Sequence, residues 1–327
     1  MLEHKDALSK LGQFLKAQNY CFITPIPLTH TRVNNRPGNE WAFDLVGIFG
    51  WSRPFQTSVL IQHEGLIHLM KEAGIMIEAN SQAGLRSLIR LSSLDEHLFI
   101  HSAFPTEHAH AVFFGPDTYR FAREIKRYLQ SNTRAIHRAV DIGCGSGAGA
   151  ILIASSKPDA DVFAVDINEA ALTLTSINAS LANTSNVIAR YSNILIDIEG
   201  EFDLIIANPP YLVDANERTY RNGGGSLDEE LSLAIFKQAI TRLAPGGSLL
   251  LYSGVAIVNG RDMFLNAIHE HLAHSKKQWN ISYEELDPDI FGEELEHEAY
   301  QNTDRIAAIL LIVTHKANTA HKELTFG

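Results

Sequence analysis

Residues 139–149 read AVDIGCGSGAG, a short apolar run of strand character that breaks at Gly143, Gly145 and Gly147 and leads into a helix-forming stretch across 147–155. Glycine tolerates positive φ and lets a backbone come close to a ligand, and a helix start favours negative groups. Asp166 ends the next strand candidate, VFAVD (162–166), where its carboxylate can accept hydrogen bonds from two ribose hydroxyls, with Ile167 beside it. Together these residues describe a nucleoside pocket. Gly143-Cys-Gly145-Ser-Gly147-Ala148 also fits the relaxed dinucleotide fingerprint GxGxxA, with Asp166 on an NAD ribose. A tight strand-to-helix turn with no ligand is the third reading. Cys144, between two glycines, reads as a small filler rather than a nucleophile.

On either side of this loop, strands and helices alternate. A helix is expected from Pro116 through Gln130, then helices across 169–181, 228–243 and 261–273, with strands VIARY (187–191), DLIIAN (203–208) and SLLLYSG (248–254). This alternation implies a mainly parallel sheet with helices on both faces. WNISYEEL (279–286) and RIAAILLIVTH (305–315) have no helix between them, so one of the two is expected to be antiparallel. The first third differs in texture. Leu8, Leu11, Phe14 and Leu15 recur at helical spacing, and 31–55 reads as a loop with short strands. A helix is expected near 56–77, followed by paired strands within 85–104.

At 327 residues, 45% of them hydrophobic and 20% charged, the chain is long enough for two domains and is not disordered in composition. Its 27 basic and 38 acidic side chains give a net charge of -11, of which -10 falls on 116–327. A general nucleic-acid coat is therefore disfavoured, because phosphate binding by counterion release needs a positive surface. Arg120, Arg123, Lys126 and Arg127 share one expected helix, either as a phosphate patch or as a solvated face. His101, His108 and His110 lack the regular spacing of metal ligands, and no metal is expected. Two cysteines, a charged start and no apolar run near membrane-spanning length point to a cytoplasmic chain without a membrane partner.

DLIIANPPYLV places Asn208-Pro209-Pro210-Tyr211 after a strand, at the edge where open α/β sheets bind ligands. Two prolines remove two backbone donors, so the turn presents acceptors. The Asn208 side-chain oxygen and the Pro209 carbonyl can both accept from one planar NH2 group, and Tyr211 offers a face for stacking. Here the sequence resembles the class I S-adenosylmethionine-dependent methyltransferases. The nearest subgroup carries Asn-Pro-Pro-Tyr and methylates planar nitrogens, and it includes the release-factor glutamine methyltransferases and several adenine and guanine N-methyltransferases.

The resemblance covers about residues 112–315. DIGCGSG matches the first motif, Asp166 the ribose acid, Asn178 in INASLAN the helix after it, and APGGSLLLY (244–252) the segment into the fifth strand. VFFGPDTYRFA (112–122) is similar to the segment that closes over the methionine moiety. That similarity implies cofactor contacts from Gly115 and Thr118, with Asp117 as a helix cap the competing reading. YRNGGGSLDEEL (220–231) resembles a Gly-Gly stretch after the catalytic turn. Ser192-Asn193 stands where the family often has an acid for the adenine amine, and Asn193 is expected to accept in its place.

The resemblance implies an α/β fold with a doubly wound, seven-stranded, Rossmann-like sheet in 116–327, preceded by a smaller α+β substrate or cap domain in 1–115. It implies a transferase using S-adenosyl-L-methionine, with Asn208, Pro209 and Tyr211 catalytic. Asp141, Gly143, Gly145, Gly147, Asp166, Ile167, Asn193, Asn208, Gly115 and Thr118 would bind the cofactor. Residues 1–111 do not match the helical substrate domain of the glutamine methyltransferases, so the acceptor is open. A protein or peptide amide or a small molecule is favoured, including cyclisation of the cofactor itself, with an RNA or DNA base as the remaining alternative.

Overall fold

The computed structural model of the chain describes residues 4–79, 84–106, 108–212 and 230–317. Helix α1 (Lys5–Ala17) buries Leu8, Leu11 and Leu15 completely, as their spacing requires. Two short helices follow, α2 (Pro27–Asn34) and α3 (Leu45–Phe49), where the composition suggested a loop with strands. Pro27 opens α2, and the Asp44 carboxylate accepts from the Gly47 N–H at 2.6 Å to start α3, so local capping outweighs the turn-rich composition. The helix expected over 56–77 is a 3-10 stretch at Thr57–His63 that runs into α4 (Glu64–Glu72). Strand β1 (Met76–Glu78) pairs with β2 (Leu85–Ser87), and β3 (Ile89–Leu94) with β4 (His97–Ser102), both antiparallel.

The remaining elements are α5 (Pro116–Ser131), β5 (Arg138–Ile142), α6 (Ala148–Ser156), β6 (Asp161–Asp166), α7 (Glu169–Leu181), β7 (Val187–Tyr191), β8 (Phe202–Ala207) and α8 (Glu230–Thr241), followed by β9 (Leu243–Val258), β10 (Arg261–Asp262), α9 (Met263–Ala273), β11 (Trp279–Asp287) and β12 (Arg305–His315). The sheet runs β11-β12-β9-β8-β5-β6-β7, with β10 pairing off β9. Strands β9, β8, β5, β6 and β7 are mutually parallel, and β12 is antiparallel to both β9 and β11. Successive residues of the central strands enter opposite cores: Ala139, Leu204 and Ile206 pack with α5 and α6, and Val140 and Ile205 pack with α8 and α9. Strand order reverses between β5 and β8, and the crevice there opens at their carboxyl ends.

The β3–β4 hairpin separates two cores. Ile89, Leu91, Leu98 and Ile100 join the N-terminal core with α1, whereas Leu94 and Phe99 join the core beneath the sheet. Helix α7 completes the junction, since Ala171, Leu174, Ile177 and Leu181 belong to the N-terminal core. Fully buried Asn178 accepts from the Ile100 N–H at 2.8 Å. It donates to the Ile100 carbonyl at 3.0 Å and to the Ser146 carbonyl at 2.9 Å. One carboxamide thus fastens the hairpin, α7 and the glycine loop together. Asn178→Ala orphans buried backbone groups on both sides and is expected to lower unfolding free energy by about 2–4 kcal/mol in urea titrations. An unchanged midpoint would show that the junction is held by apolar packing alone.

Candidate active site

A cavity of about 590 Å³ lies at the carboxyl edge of the sheet. Its walls come from the glycine loop after β5, Asp166–Asn168 after β6, Ser192–Ile194 after β7 and Asn208–Leu212 after β8. The start of α5, residues 289–291, and an N-terminal wall of Pro25–Pro27, Arg90 and Phe104–Thr106 complete it. Most of the expected site residues therefore meet in one place.

Within the loop the three glycines do different work. Gly143, Gly145 and Gly147 all have positive φ, at 69°, 55° and 82°. A Cβ on Gly143 or Gly145 would meet nothing within 4 Å, so both leave open space toward the cavity. A Cβ on Gly147 would stand 2.8 Å from the Thr175 side chain, and Gly147 does not line the cavity. Gly147 is a packing glycine, which corrects its expected ligand contact. The loop amides are also taken up internally. Gly143 and Cys144 donate to the Val165 carbonyl at 2.8 and 3.0 Å, and Gly145 donates to Asp166 Oδ2 at 3.0 Å. The α6 start is occupied by Asp141, whose Oδ2 accepts from the Ala150 N–H at 2.9 Å. A carboxylate therefore sits where a pyrophosphate would seek its donors, which disfavours a dinucleotide.

Burial raises the Asp141 carboxyl to about 7, against a smaller opposing effect of the Ala150 hydrogen bond. Asp166 is also raised by burial, although its Oδ1 accepts from Asn168 at 2.9 Å. Each Asp166 oxygen thus uses one lone pair on the backbone and keeps another for a ligand. Ile167 is 49% exposed at the cavity wall, and Asn193 is exposed there. Thr118 lines the cavity and accepts from the Gly115 N–H at 3.3 Å. Gly115 itself is the buried N-cap of α5 and does not line the cavity, because its missing Cβ makes room for the Phe113 ring. Cys144 is buried with its Sγ 3.4 Å from Thr175 Oγ1, and burial pushes its thiol well up, as a filler requires.

After β8, Asn208 lines the cavity, and its carboxamide has no hydrogen-bond partner among the described residues. Tyr211 also lines the cavity and is held from behind. Its ring lies in the apolar core, its hydroxyl donates to Asp117 Oδ2 at 2.7 Å, and Tyr252 donates to Asp117 Oδ1 at 2.6 Å. Arg120 bridges Asp117 at 2.8 Å and Asp287 at 3.1 Å. Asp117 is thus not the α5 cap but a buried carboxylate that joins the turn after β8, the end of β9 and the start of α5. Gly254 makes room for this, since a Cβ there would stand 2.4 Å from the Tyr211 ring. Phe291, at φ 54°, packs edge-on against the same ring with centroids 6.0 Å apart.

Every cation of the α5 patch is paired: Arg120 as above, Arg123 and Arg127 with Glu124, Lys126 with Asp95, and Arg127 also with Glu284. The phosphate-patch reading loses its free charges. His101 is buried between Ser92 Oγ and the Ser102 carbonyl, whereas His108 and His110 are exposed. Trp51 packs on Phe22 and His30, and none of Asn34, Asn35, Arg36, Trp41 and Trp51 lines the cavity. Most of 220–231 lies outside the described residues. Sequence reasoning missed Phe291 and Arg90 at the wall. No local pattern marks Phe291, and nothing in LRSLIRL (85–91) sets Arg90 apart from Arg86.

The fold is that of the class I methyltransferases. Residues 125–263 match the family described as Methyltransferase small domain. The chain is similar to the release factor glutamine methyltransferase of Lactococcus lactis, at 33% identity over 40% of this chain and 52% of the relative. It is also similar to that of Flavobacterium psychrophilum, at 30% identity over 51% of this chain and 60% of the relative. The chain thus spans little more than half the length of these curated relatives. Among solved structures, Methanocaldococcus jannaschii Trm5 in complex with adenosine shares the fold at TM-score 0.50 and 14% identity, over 81% of this chain and 62% of that one. No described helix is long and apolar enough to cross a membrane.

Tyr211→Phe, conservative if the ring only stacks, removes a donor from a buried carboxylate. The variant is expected to unfold about 1.5–3 kcal/mol more easily in urea. Wild-type stability for Tyr211→Phe would return the tyrosine to a purely stacking role.

Proposed function

We propose that the chain is an S-adenosylmethionine-dependent methyltransferase acting on a planar nitrogen. An amide-type acceptor ranks first, because the glutamine methyltransferases are its curated relatives. The observation that carries this reading is one cavity that joins the buried Asp141 carboxylate behind the glycine loop to the unpartnered Asn208 carboxamide. Residues 1–115 serve as the acceptor-side unit, since Pro25–Pro27, Arg90 and Phe104–Thr106 contribute a wall of the same cavity. The paired cations of α5 and the net charge of -10 on 116–327 speak against bulk nucleic acid.

The residues present fit this cofactor. Gly143 and Gly145 leave a cradle that a Cβ would fill, Asp166 keeps lone pairs for ribose hydroxyls, and Ile167, Asn193 and Thr118 lie on the adjoining wall. Asp141 suits a ligand that carries positive charge. When bound, S-adenosylmethionine would supply a methyl carbon activated by the sulfonium charge for transfer to a nitrogen. Asn208 Oδ1 accepts one hydrogen of the acceptor nitrogen, and the Pro209 carbonyl accepts another, which fixes the direction of the lone pair. Pro209 and Pro210 contribute no competing N–H. Tyr211 positions this turn through Asp117 and lines the same cavity. Catalysis is chiefly orientation.

Asn208→Ala is expected to slow methyl transfer by at least about 100-fold while changing S-adenosylhomocysteine affinity by less than about 3-fold. Transfer of labelled methyl groups into an extract, followed with calorimetry, measures both, and a wild-type rate for the variant would refute the nitrogen-positioning role. Calorimetry with NAD is expected to give no signal.

Asp141 adds a pH dependence whose sign is fixed. A cationic ligand beside it favours the ionised form, so binding near pH 7 releases a proton and affinity rises as pH climbs through about 7. Binding enthalpies in buffers of different ionisation heat report that proton. No release in any buffer would place the charge of the cofactor away from Asp141.

A further inference from the structure

Alternation along β3 puts Arg90, Ser92 and Leu94 on the hairpin face opposite Ile89 and Leu91, and Arg90 pairs in register with His101. That face meets the methyltransferase sheet, and Arg90 is only 2% exposed. Its guanidinium nonetheless makes no hydrogen bond or ion pair with the described residues, and its Nε is buried without an acceptor. The groups whose charges reach it are Tyr20 and Tyr119, and it acts in turn on His30 and His101. All four are neutral near pH 7. Burial raises both tyrosines, lowers His30 to about 4 and holds His101 well below the usual range. Arg90 is lowered only to about 10 and stays a cation. The Phe104 ring, 6.0 Å from Cζ, is a weak partner for it.

A buried charge without a counter-ion is costly, and removal of a partner is what normally creates one. Here the cation lines the same cavity as Asn208 and the glycine loop. The missing half of the ion pair then belongs to a ligand. The N-terminal wall that carries Arg90 is otherwise mostly apolar, with Pro25, Ile26, Pro27, Phe104 and Pro105 beside Thr106, and holds no carboxylate among its described residues. A single guanidinium fork matches one planar monoanion, whereas a phosphate dianion would keep uncompensated charge against these residues.

We propose that Arg90 receives a carboxylate of the acceptor, so that the substrate of this cavity is a carboxylic acid that also bears the planar nitrogen presented to Asn208. The proposal rests on the reading of Asn208 given above, and it narrows the acceptor from any amide to one with an acid group.

The test uses the full chain labelled with ¹⁵N. The Arg90 Nε–H signal is identified by its loss in Arg90→Lys and followed during additions of benzoate, the neutral benzamide, inorganic phosphate and S-adenosylhomocysteine. Benzoate is expected to shift it saturably, at least about tenfold more tightly than phosphate, with benzamide inert and S-adenosylhomocysteine nearly so. A signal that no carboxylate shifts would overturn the proposal. So would a full shift on S-adenosylhomocysteine alone, which would give Arg90 to the carboxylate of the cofactor. In parallel, Arg90→Met is expected to leave the thermal midpoint of the ligand-free chain unchanged or higher and to abolish protection by benzoate. A midpoint lower by more than about 5 °C would make Arg90 a structural cation instead. If S-adenosylhomocysteine fails to bind while benzoate still shifts Arg90, the carboxylate site stands and the methyl-transfer reading falls.

Discussion

The carboxamide of Asn178 holds together the parts on which everything else in this molecule depends. Its three hydrogen bonds reach both backbone groups of Ile100 in the hairpin and the Ser146 carbonyl in the glycine loop. The two cores could pack in several orientations if apolar contact were all that joined them, because hydrophobic attraction has no direction. A fully buried amide that must satisfy its donors and acceptor allows only one. The N-terminal wall of the cavity is thereby set against the loop that forms its floor. The apolar face of α7 then adds affinity to a register already chosen.

A second buried polar group organises the opposite wall. Asp117 draws the hydroxyls of Tyr211 and Tyr252 and the guanidinium of Arg120 onto one carboxylate, and so ties the turn after β8 to the start of α5 and the end of β9. The Asn-Pro-Pro-Tyr turn is rigid for two reasons: two prolines restrict it from within, and the tyrosine pins it from behind. Asn208 lies on the cavity wall with its carboxamide unpaired among the described residues. The division of labour follows from burial, since a phenol deep in the core satisfies its hydroxyl locally, whereas an amide at the cavity wall need not.

The cavity wall carries buried charge of both signs. The glycine loop backs onto Asp141 and Asp166, and its amides are spent on the strand beside it, so that stretch of wall suits a ligand rich in donors and positive charge. The N-terminal wall carries Arg90, whose charge meets only neutral side chains among the described residues. Cations on the outer surface are meanwhile neutralised by nearby carboxylates along α5. Selectivity in such a molecule is an internal matter of one cavity rather than of a charged exterior.

Much of this was determined by local sequence. The glycines after β5, the acid at the end of β6, the alternation of strands and helices, and the prolines after β8 specify backbone geometry through nearest neighbours, and so the parallel sheet and its reversal point were legible. What the chain could not state locally was which polar residue would lose its water. The alternation in β3 looks like a half-solvated strand, yet both faces are buried because the core beneath the sheet covers the polar one, leaving Arg90 without a counter-ion among the described residues. The same holds for Gly147 and Gly143, alike in sequence logic and both at positive φ, one of which packs on Thr175 while the other faces the cavity. Tyr211 and Asp117, 94 residues apart, became partners only when the turn and the helix start were brought to the same edge of the sheet. Local propensity depends on neighbours in the chain, whereas desolvation depends on neighbours in space, and only the assembled tertiary structure decides the second.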